Sequence, residues 1–293
     1  MLLFLPPFFW SSNFIVGKAL VGKVPPWTLN AGRFTVSALL LIPALLYRRD
    51  WQLPRHLLLP LFIMSLTGVF AFNSVLYIGL QSTSVINATL VNSITPVTTS
   101  LVAWLLIGER MTGRRILGIL LSLSGVSWVV SQGSLETLLR LNFNPGDVIV
   151  FCATALWGFY SVMAKRLMQQ LSPLVLTALT TAIGSLLLLP VAALELSSSP
   201  TDLWRGEILL AFLYLGIFPS FLSFLLWNRS ILTFGPSRAS LVYNTLPLFA
   251  VILSHIFLSE MPRIYQLVGG VMIVAGVIIG TRDPAPPCRE MIK

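Results

Sequence analysis

The sequence predicts an all-α integral membrane protein of ten transmembrane helices, arranged as two inverted five-helix repeats. Three observations predict it. Hydrophobic residues make up 56% of the 293 residues, charged residues only 10%, and the mean hydropathy is +0.86; a soluble domain carries about 25% charged residues. Ten apolar segments each approach the ~20 residues a helix needs to cross the hydrocarbon. The second half also repeats the first. An offset of 147 carries Trp10 to Trp157, Lys18 to Lys165, Pro26 to Pro173 and Pro43 to Pro190. An offset of 151 carries Pro96 to Pro247, Glu109 to Glu260, Gly118 to Gly269 and Gly125 to Gly276. If each copy crosses the membrane an odd number of times, the second copy is inverted, an architecture common among secondary transporters.

The spans are placed at 2–20, 27–47, 57–80, 85–107, 114–131, 147–167, 172–195, 207–231, 236–258 and 263–281. Span 1 starts apolar at Leu2 with no basic residue before it, so cleavage as a signal peptide is not expected. The connections are short and most hold Pro, Gly, Ser or a charge. The longest polar gap, 132–146, divides the chain into units 1–135 and 136–293. Pro96 and Pro247 fall at matching places in spans 4 and 9. Each deprives a carbonyl of its helical partner and opens a bend, which is either a hinge or a static kink. Gly118, Ser122 and Gly125 in span 5 and Gly276 and Gly280 in span 10 permit close helix approach, within the monomer or in a weak homodimer.

The basic residues orient the chain. The loops after spans 2, 4, 6 and 8, with the C-terminus, hold Arg48, Arg49, Arg55, Arg110, Arg114, Arg115, Lys165, Arg166, Arg229, Arg238, Arg282, Arg289 and Lys293. The opposite side holds Lys18, Lys23, Arg140, Arg205 and Arg263, and Arg33 lies inside span 2. Thirteen against five puts both termini in the cytoplasm, as expected of a multi-pass protein of the bacterial inner membrane. The net charge of +9 is dispersed between apolar runs, so no nucleic-acid partner is expected; membrane lipid and a small molecule are. Cys152 and Cys288 fall on opposite sides and are expected to be free thiols. Asn87-Ala88-Thr89 and Asn228-Arg229-Ser230 fit the glycosylation pattern only by accident, lying in or beside spans.

Certain residues resemble the drug/metabolite transporter superfamily, in particular its ten-span EamA-type exporters. They are Arg33-Phe34 in span 2, then Ser84, Ala88 and Pro96 running to Gly108-Glu109-Arg110, and Gly118 and Gly125 in span 5. The second half answers with Pro236-Ser237-Arg238-Ala239-Ser240, Pro247, Ser259-Glu260, Gly269 and Gly276. It departs where Thr180 stands opposite Arg33 and where Ser259 replaces the Gly of the Gly-Glu pair. The resemblance implies a secondary transporter with a central cavity between the halves. Members export amino acids, small metabolites or drugs, relatives carry nucleotide sugars, and one branch exports aromatic amino acids.

The site chemistry is neutral, polar and aromatic. Acidic residues are nearly absent from span interiors: Glu109, Glu260, Asp147 and Glu195 fall at or near span ends. A buried carboxylate is the obvious way to hold a lipophilic cation against protons, so cationic drug antiport is disfavoured, and proton coupling in general less so. The cavity candidates are Trp10, Ser12 and Asn13 in span 1, Arg33 in span 2, Asn73 and Tyr77 in span 3, and Asn92 in span 4. In the second half they are Trp157 and Tyr160 in span 6, Trp227 in span 8, and Tyr243 and Asn244 in span 9. Amide side chains in hydrocarbon are costly unless paired, so each either bonds between helices or faces a wet cavity. Arg33 either receives a substrate carboxylate, binds carbonyls or snorkels. His255 in span 9 is expected to be buried and neutral, with a proton relay as the alternative. Lys18 and Lys165 read as end anchors.

No close carboxylate pair, His/Cys/Asp metal spacing, Gly-x-Ser-x-Gly or phosphate loop is present, so neither an enzyme, a metal nor a cofactor is expected. The expected activity is export of amino acids, aromatic or neutral ones first, or similar metabolites, by alternating access. The alternatives are a multidrug or nucleotide-sugar/organophosphate carrier, or a facilitative channel or uptake permease.

Overall fold

A computed structural model describes residues 2–20, 22–47, 53–82, 91–140, 145–258 and 262–282, and every regular element among them is helical. The first half contains α1 (Leu5–Ala19), α2 (Pro26–Tyr47), α3 (Leu58–Met64), a π segment (Ser65–Ala71), α4 (Phe72–Ser82), α5 (Thr95–Ile107), α6 (Gly113–Val130) and a short α7 (Leu135–Leu139). The second contains α8 (Pro145–Leu167), α9 (Pro173–Ser198), α10 (Gly206–Leu215), a second π segment (Gly216–Leu222), α11 (Ser223–Phe234), α12 (Pro236–Tyr243), α13 (Leu246–Leu258) and α14 (Ile264–Thr281). Among the described residues, seven continuous helices are long and apolar enough to cross a membrane. They include Arg55–Leu76 and Gly206–Phe234, each of which runs through a π segment.

The π segments lie 151 residues apart end to end, the offset that relates the sequences. In each, the N–H that follows reaches back five residues, from Phe72 to the Thr67 carbonyl and from Ser223 to the Phe218 carbonyl. Such wide turns are rare and leave a carbonyl for another donor. The sequence contains no signal for them beyond Gly68 and Pro219, which occupy matching places.

Spans 4 and 9 differ from expectation. Pro96 and Pro247 do not bend continuous helices. Each sits in the first turn of a new helix, α5 or α13, after the chain has broken. Proline suits that position, where its missing N–H has no helical acceptor. Hydroxyls close the breaks: Thr95 Oγ1 donates to the Asn92 carbonyl at 2.6 Å, and Thr245 Oγ1 to the Val242 carbonyl at 2.7 Å.

Matched helices pack antiparallel. Gly118 of α6 faces Gly276 and Gly280 of α14, while Gly125 faces Gly269, so the numbering runs oppositely along the two. A Cβ built on Gly118 would lie 2.6 Å from the Gly276 carbonyl oxygen, and one on Gly276 the same distance from that of Gly118. The glycines thus serve contact within the chain, backbone to backbone. Helices α2 and α9 run likewise: Thr35 and Ser185 hydroxyls meet at 2.9 Å, and Glu195 reaches Thr28. There the Glu195 carboxylate accepts from the Thr28 N–H at 2.7 Å, the Thr28 hydroxyl at 2.9 Å and the Trp27 N–H at 3.3 Å, capping α2 from α9. Replacing Glu195 with Ala should therefore cost about 1–2 kcal/mol, read as a lower Tm in detergent with transport retained.

His255 is exposed on the outer face of α13, not buried as expected. Trp104, its counterpart 151 residues earlier, is likewise 54% exposed on α5. Hydropathy alone cannot tell which face of so uniformly apolar a helix turns outward. Arg115 differs in the other direction. Counted as a loop charge, it is fully buried, donating to Glu109 Oε1 at 2.9 Å and to the Arg110 carbonyl at 3.3 Å. Lys165 Nζ caps α11 through the Leu232 carbonyl. Cys152 is an exposed free thiol. Asn87, Glu260 and Cys288, and the side chains of Lys18 and Tyr77, lie outside the described residues.

Candidate substrate site between the two halves

A cavity opens where the first helix of each half meets the helices that follow the two π segments and the break in span 9. It is lined by Trp10 and Asn13 of α1, Arg33 of α2, Phe72, Asn73 and Leu76 of α4, Trp157 of α8, Phe224 of α11, Tyr243 of α12 and Leu246 of α13. Tyr243 and Leu246 bracket the break in span 9. The accessible space is about 40 Å³, room for about three water molecules. Small-molecule sites run to about 300 Å³ and more, well above the space found here.

Its floor is aromatic. Trp10 and Trp157, which match across the repeat, meet edge to face at 5.4 Å. Trp157 stacks on Tyr160 at 5.3 Å and 19°, and also contacts Phe72, Phe224 and Trp227. Trp10 adds Trp227 and Tyr243. Edge-to-face and offset pairs are each worth about 0.5–1.5 kcal/mol beyond their buried area.

Its polar wall is built on Arg33. The guanidinium donates from Nη2 to Asn73 Oδ1 at 2.9 Å and from Nη1 to Asn13 Oδ1 at 3.2 Å, and stands 4.7 Å from the centre of the Phe34 ring. Asn73 Nδ2 in turn donates to the Val69 carbonyl at 3.1 Å and weakly to that of Gly68 at 3.5 Å. Trp10 Nε1 donates to the Pro219 carbonyl at 3.0 Å. Gly68 and Pro219 are counterparts, so in both π segments a cavity side chain reaches the same stretch of backbone.

Of the residues singled out in the sequence, Trp10, Asn13, Arg33, Asn73, Trp157 and Tyr243 line this cavity. Tyr160 and Trp227 stand behind Trp157 as support. Asn228 Nδ2 donates to the Tyr160 hydroxyl at 3.0 Å and to Thr177 Oγ1 at 2.9 Å, and Trp227 Nε1 donates to Ser161 Oγ at 3.2 Å. Asn92 touches the site only through Tyr243, whose hydroxyl accepts from its Nδ2 at 3.4 Å. Ser12 and Asn244 lie away from the lining. Ser12 donates to the Phe9 carbonyl and accepts from Tyr214, and Asn244 donates to Ser122 on α6. Both are span-interior polar groups bonded between helices, the bland alternative for such residues. Phe72, Leu76, Phe224 and Leu246 were missed as lining. One signal existed for Phe224, the repeat counterpart of Asn73.

No group of three His, Cys, Asp or Glu able to hold a metal occurs among the described residues. The EamA-like transporter family model matches residues 1–131 and 144–282. The chain belongs to the EamA-like transporter family. An uncharacterized transporter of Bacillus subtilis, YyaM, is 30% identical over 92% of this chain and 89% of its own length. An S-adenosylmethionine/S-adenosylhomocysteine transporter of Chlamydia muridarum is 25% identical over 88% of this chain and 84% of its own. A probable terminal-alkyne amino-acid exporter of Streptantibioticus cattleyicolor is 26% identical over 96% and 92%. A solved crystal structure at 22% identity superposes with a TM-score of 0.76 over 96% of this chain and 95% of that one, a shared fold. As an EamA-family protein this chain is a membrane transporter of a small molecule, and not an enzyme.

Proposed function

We propose that this EamA-family protein is a ten-span secondary transporter of the bacterial inner membrane, with both termini cytoplasmic. In this reading it exports amino acids, aromatic or neutral ones first, or similar metabolites. The single observation that carries the reading is the cavity at the meeting of the matched tryptophans, walled, among the described residues, by aromatic rings, two amides and one guanidinium, and by no carboxylate. Such a wall suits a molecule with a carboxylate head and an apolar body. It suits a lipophilic cation poorly, and a substrate with several negative charges no better. Two relatives are named for S-adenosylmethionine and for an amino acid, both of which carry an α-amino carboxylate.

The antiparallel pairs α2 with α9 and α6 with α14 support two inverted five-helix units, 1–135 and 136–293, that rock about the cavity. The cavity must widen to admit substrate. The π segments and the breaks before Pro96 and Pro247 are the joints at which it does so, because their backbone bonds are already irregular.

Uptake of labelled amino acids into proteoliposomes, with and without a pH gradient, tests the reading and reports any proton coupling. Transport of a cationic dye but of no amino acid overturns it. Trp157→Ala should lower transport at least about tenfold and destabilise the protein by about 3–5 kcal/mol, since this side chain is 2% exposed amid five rings. Unchanged transport in that variant and in Asn13→Ala removes the cavity from the mechanism.

A further inference from the structure

We propose that Arg33 is the receptor for the substrate's carboxylate, and that the protein therefore selects carboxylates with an apolar body whether or not they carry an amine. The inference rests on the cavity being the transport site and deepens that reading by naming the group recognised. Arg33 is 3% exposed, yet it forms part of the cavity wall. Its two terminal nitrogens point to two acceptors, Asn13 Oδ1 and Asn73 Oδ1, that line the same cavity. A guanidinium presents its donors as a planar fork that matches the two oxygens of a carboxylate. A carboxylate meets such a fork with a full negative charge and two oxygens, where an asparagine offers one carbonyl oxygen and no charge, and bidentate Arg–carboxylate pairs are among the strong charge-assisted bonds. An arriving carboxylate thus takes over bonds the asparagines hold in its absence.

The second half shows that this wall is directional. Arg33 is matched by Thr180, Asn13 by Tyr160, and Asn73 by Phe224. Thr180 donates its hydroxyl to the Leu176 carbonyl, and Tyr160 bonds Asn228. The pocket therefore has a cationic pole in one half and a neutral aromatic pole in the other. A substrate is held in one orientation, carboxylate toward α2 and body against Trp157 and Phe224. Among the described residues the lining side chains offer an ammonium group the oxygens of Asn13, Asn73 and Tyr243 and no carboxylate, so the amine contributes little to recognition. Release of Asn73 from Arg33 also frees the side chain that holds the Val69 carbonyl in the first π segment, which links occupancy to a joint.

The test uses the purified full chain and three families of probe. Phenylalanine, methionine and leucine are each supplied as the amino acid, the amide and the deaminated carboxylate, and are scored by thermal stabilisation and by competition in proteoliposomes. The amino acids and the deaminated carboxylates should stabilise and compete alike, and the amides should be weaker by roughly tenfold or more. Arg33→Gln should abolish that preference, bringing acids down to the level of amides. Amides that match their acids on the wild-type protein overturn the Arg33 assignment and leave the transport reading standing, with no variant needed. If no carboxylate of any family binds, the transport reading falls together with this inference. An Arg33→Gln protein that folds and still prefers acids also overturns it.

Discussion

Gly118→Val is expected to abolish the folded transporter. Helices α6 and α14 meet backbone to backbone, and a Cβ on Gly118 would lie 2.6 Å from the Gly276 carbonyl oxygen and 2.7 Å from the Gly280 Cα. Those atoms belong to a helix and cannot turn aside as a side chain would. The helices must separate, and the seam they share runs on through Gly125 and Gly269, where the approach is 2.7 Å. Lipid tails do not drive helices together by hydrophobicity, so close packing is most of what holds such a pair. Overpacking a tight contact costs about 1–3 kcal/mol where side chains can adjust, and more here. Gly113→Ala is the control, because a Cβ there meets nothing within 4 Å. Size-exclusion profile and Tm in detergent decide it: Gly118→Val should aggregate or melt far below wild type, and Gly113→Ala should match it. Wild-type behaviour of Gly118→Val would mean that the two halves are not held together along this seam.

The glycine seam was legible because repetition carries more information than hydropathy. Gly118 with Gly269 and Gly125 with Gly276 stand out as matched pairs in runs rich in Leu, Ile and Val. What the offset cannot reveal is cross-pairing: Gly118 packs on Gly276, not on Gly269. The antiparallel arrangement crosses the pairs, as it must if one helix is turned over relative to its counterpart. The aromatic centre was legible for the same reason, since Trp10 and Trp157 match at the offset of 147.

Breaks and π turns were not legible. The residues around Asn92 and Asn244 read as polar positions inside apolar spans, and nothing in hydropathy separates a bent helix from two helices. The decisive groups are the hydroxyls of Thr95 and Thr245, which bond the Asn92 and Val242 carbonyls three residues back. Threonine does this in continuous membrane helices as well, so its presence alone is silent. Facing was equally hidden: Ser12 and Asn13 are neighbours, yet only Asn13 lines the cavity. One helical position is about 100° of rotation, enough to take a side chain from a cavity to a helix interface.

The breaks yield the second large expectation. Replacing Pro96 and Pro247 together with Ala should leave a folded protein that transports poorly. Proline has no N–H and its ring collides with the carbonyl four residues back, which for Pro247 is that of Tyr243. Alanine restores the donor and removes the collision, so α12 and α13 can join into one helix. Within a bilayer the joined form satisfies more backbone groups, which favours it further. The bias removed is up to about 3 kcal/mol per site, near a hundredfold in an equilibrium between broken and joined forms. Leu246 and Tyr243 line the cavity from either side of the break, so joining the helices moves both. If the break is the joint of the transport cycle, flux should fall at least about tenfold while Tm holds or rises. That pairing of results separates a joint from a static kink. A kink that merely shapes packing predicts the reverse, a lower Tm with the flux of the remaining folded protein unchanged. The single variants then weigh the halves against each other. Pro96→Ala and Pro247→Ala should each reduce flux, and by unequal amounts, because only the second break places its flanking residues in the cavity wall.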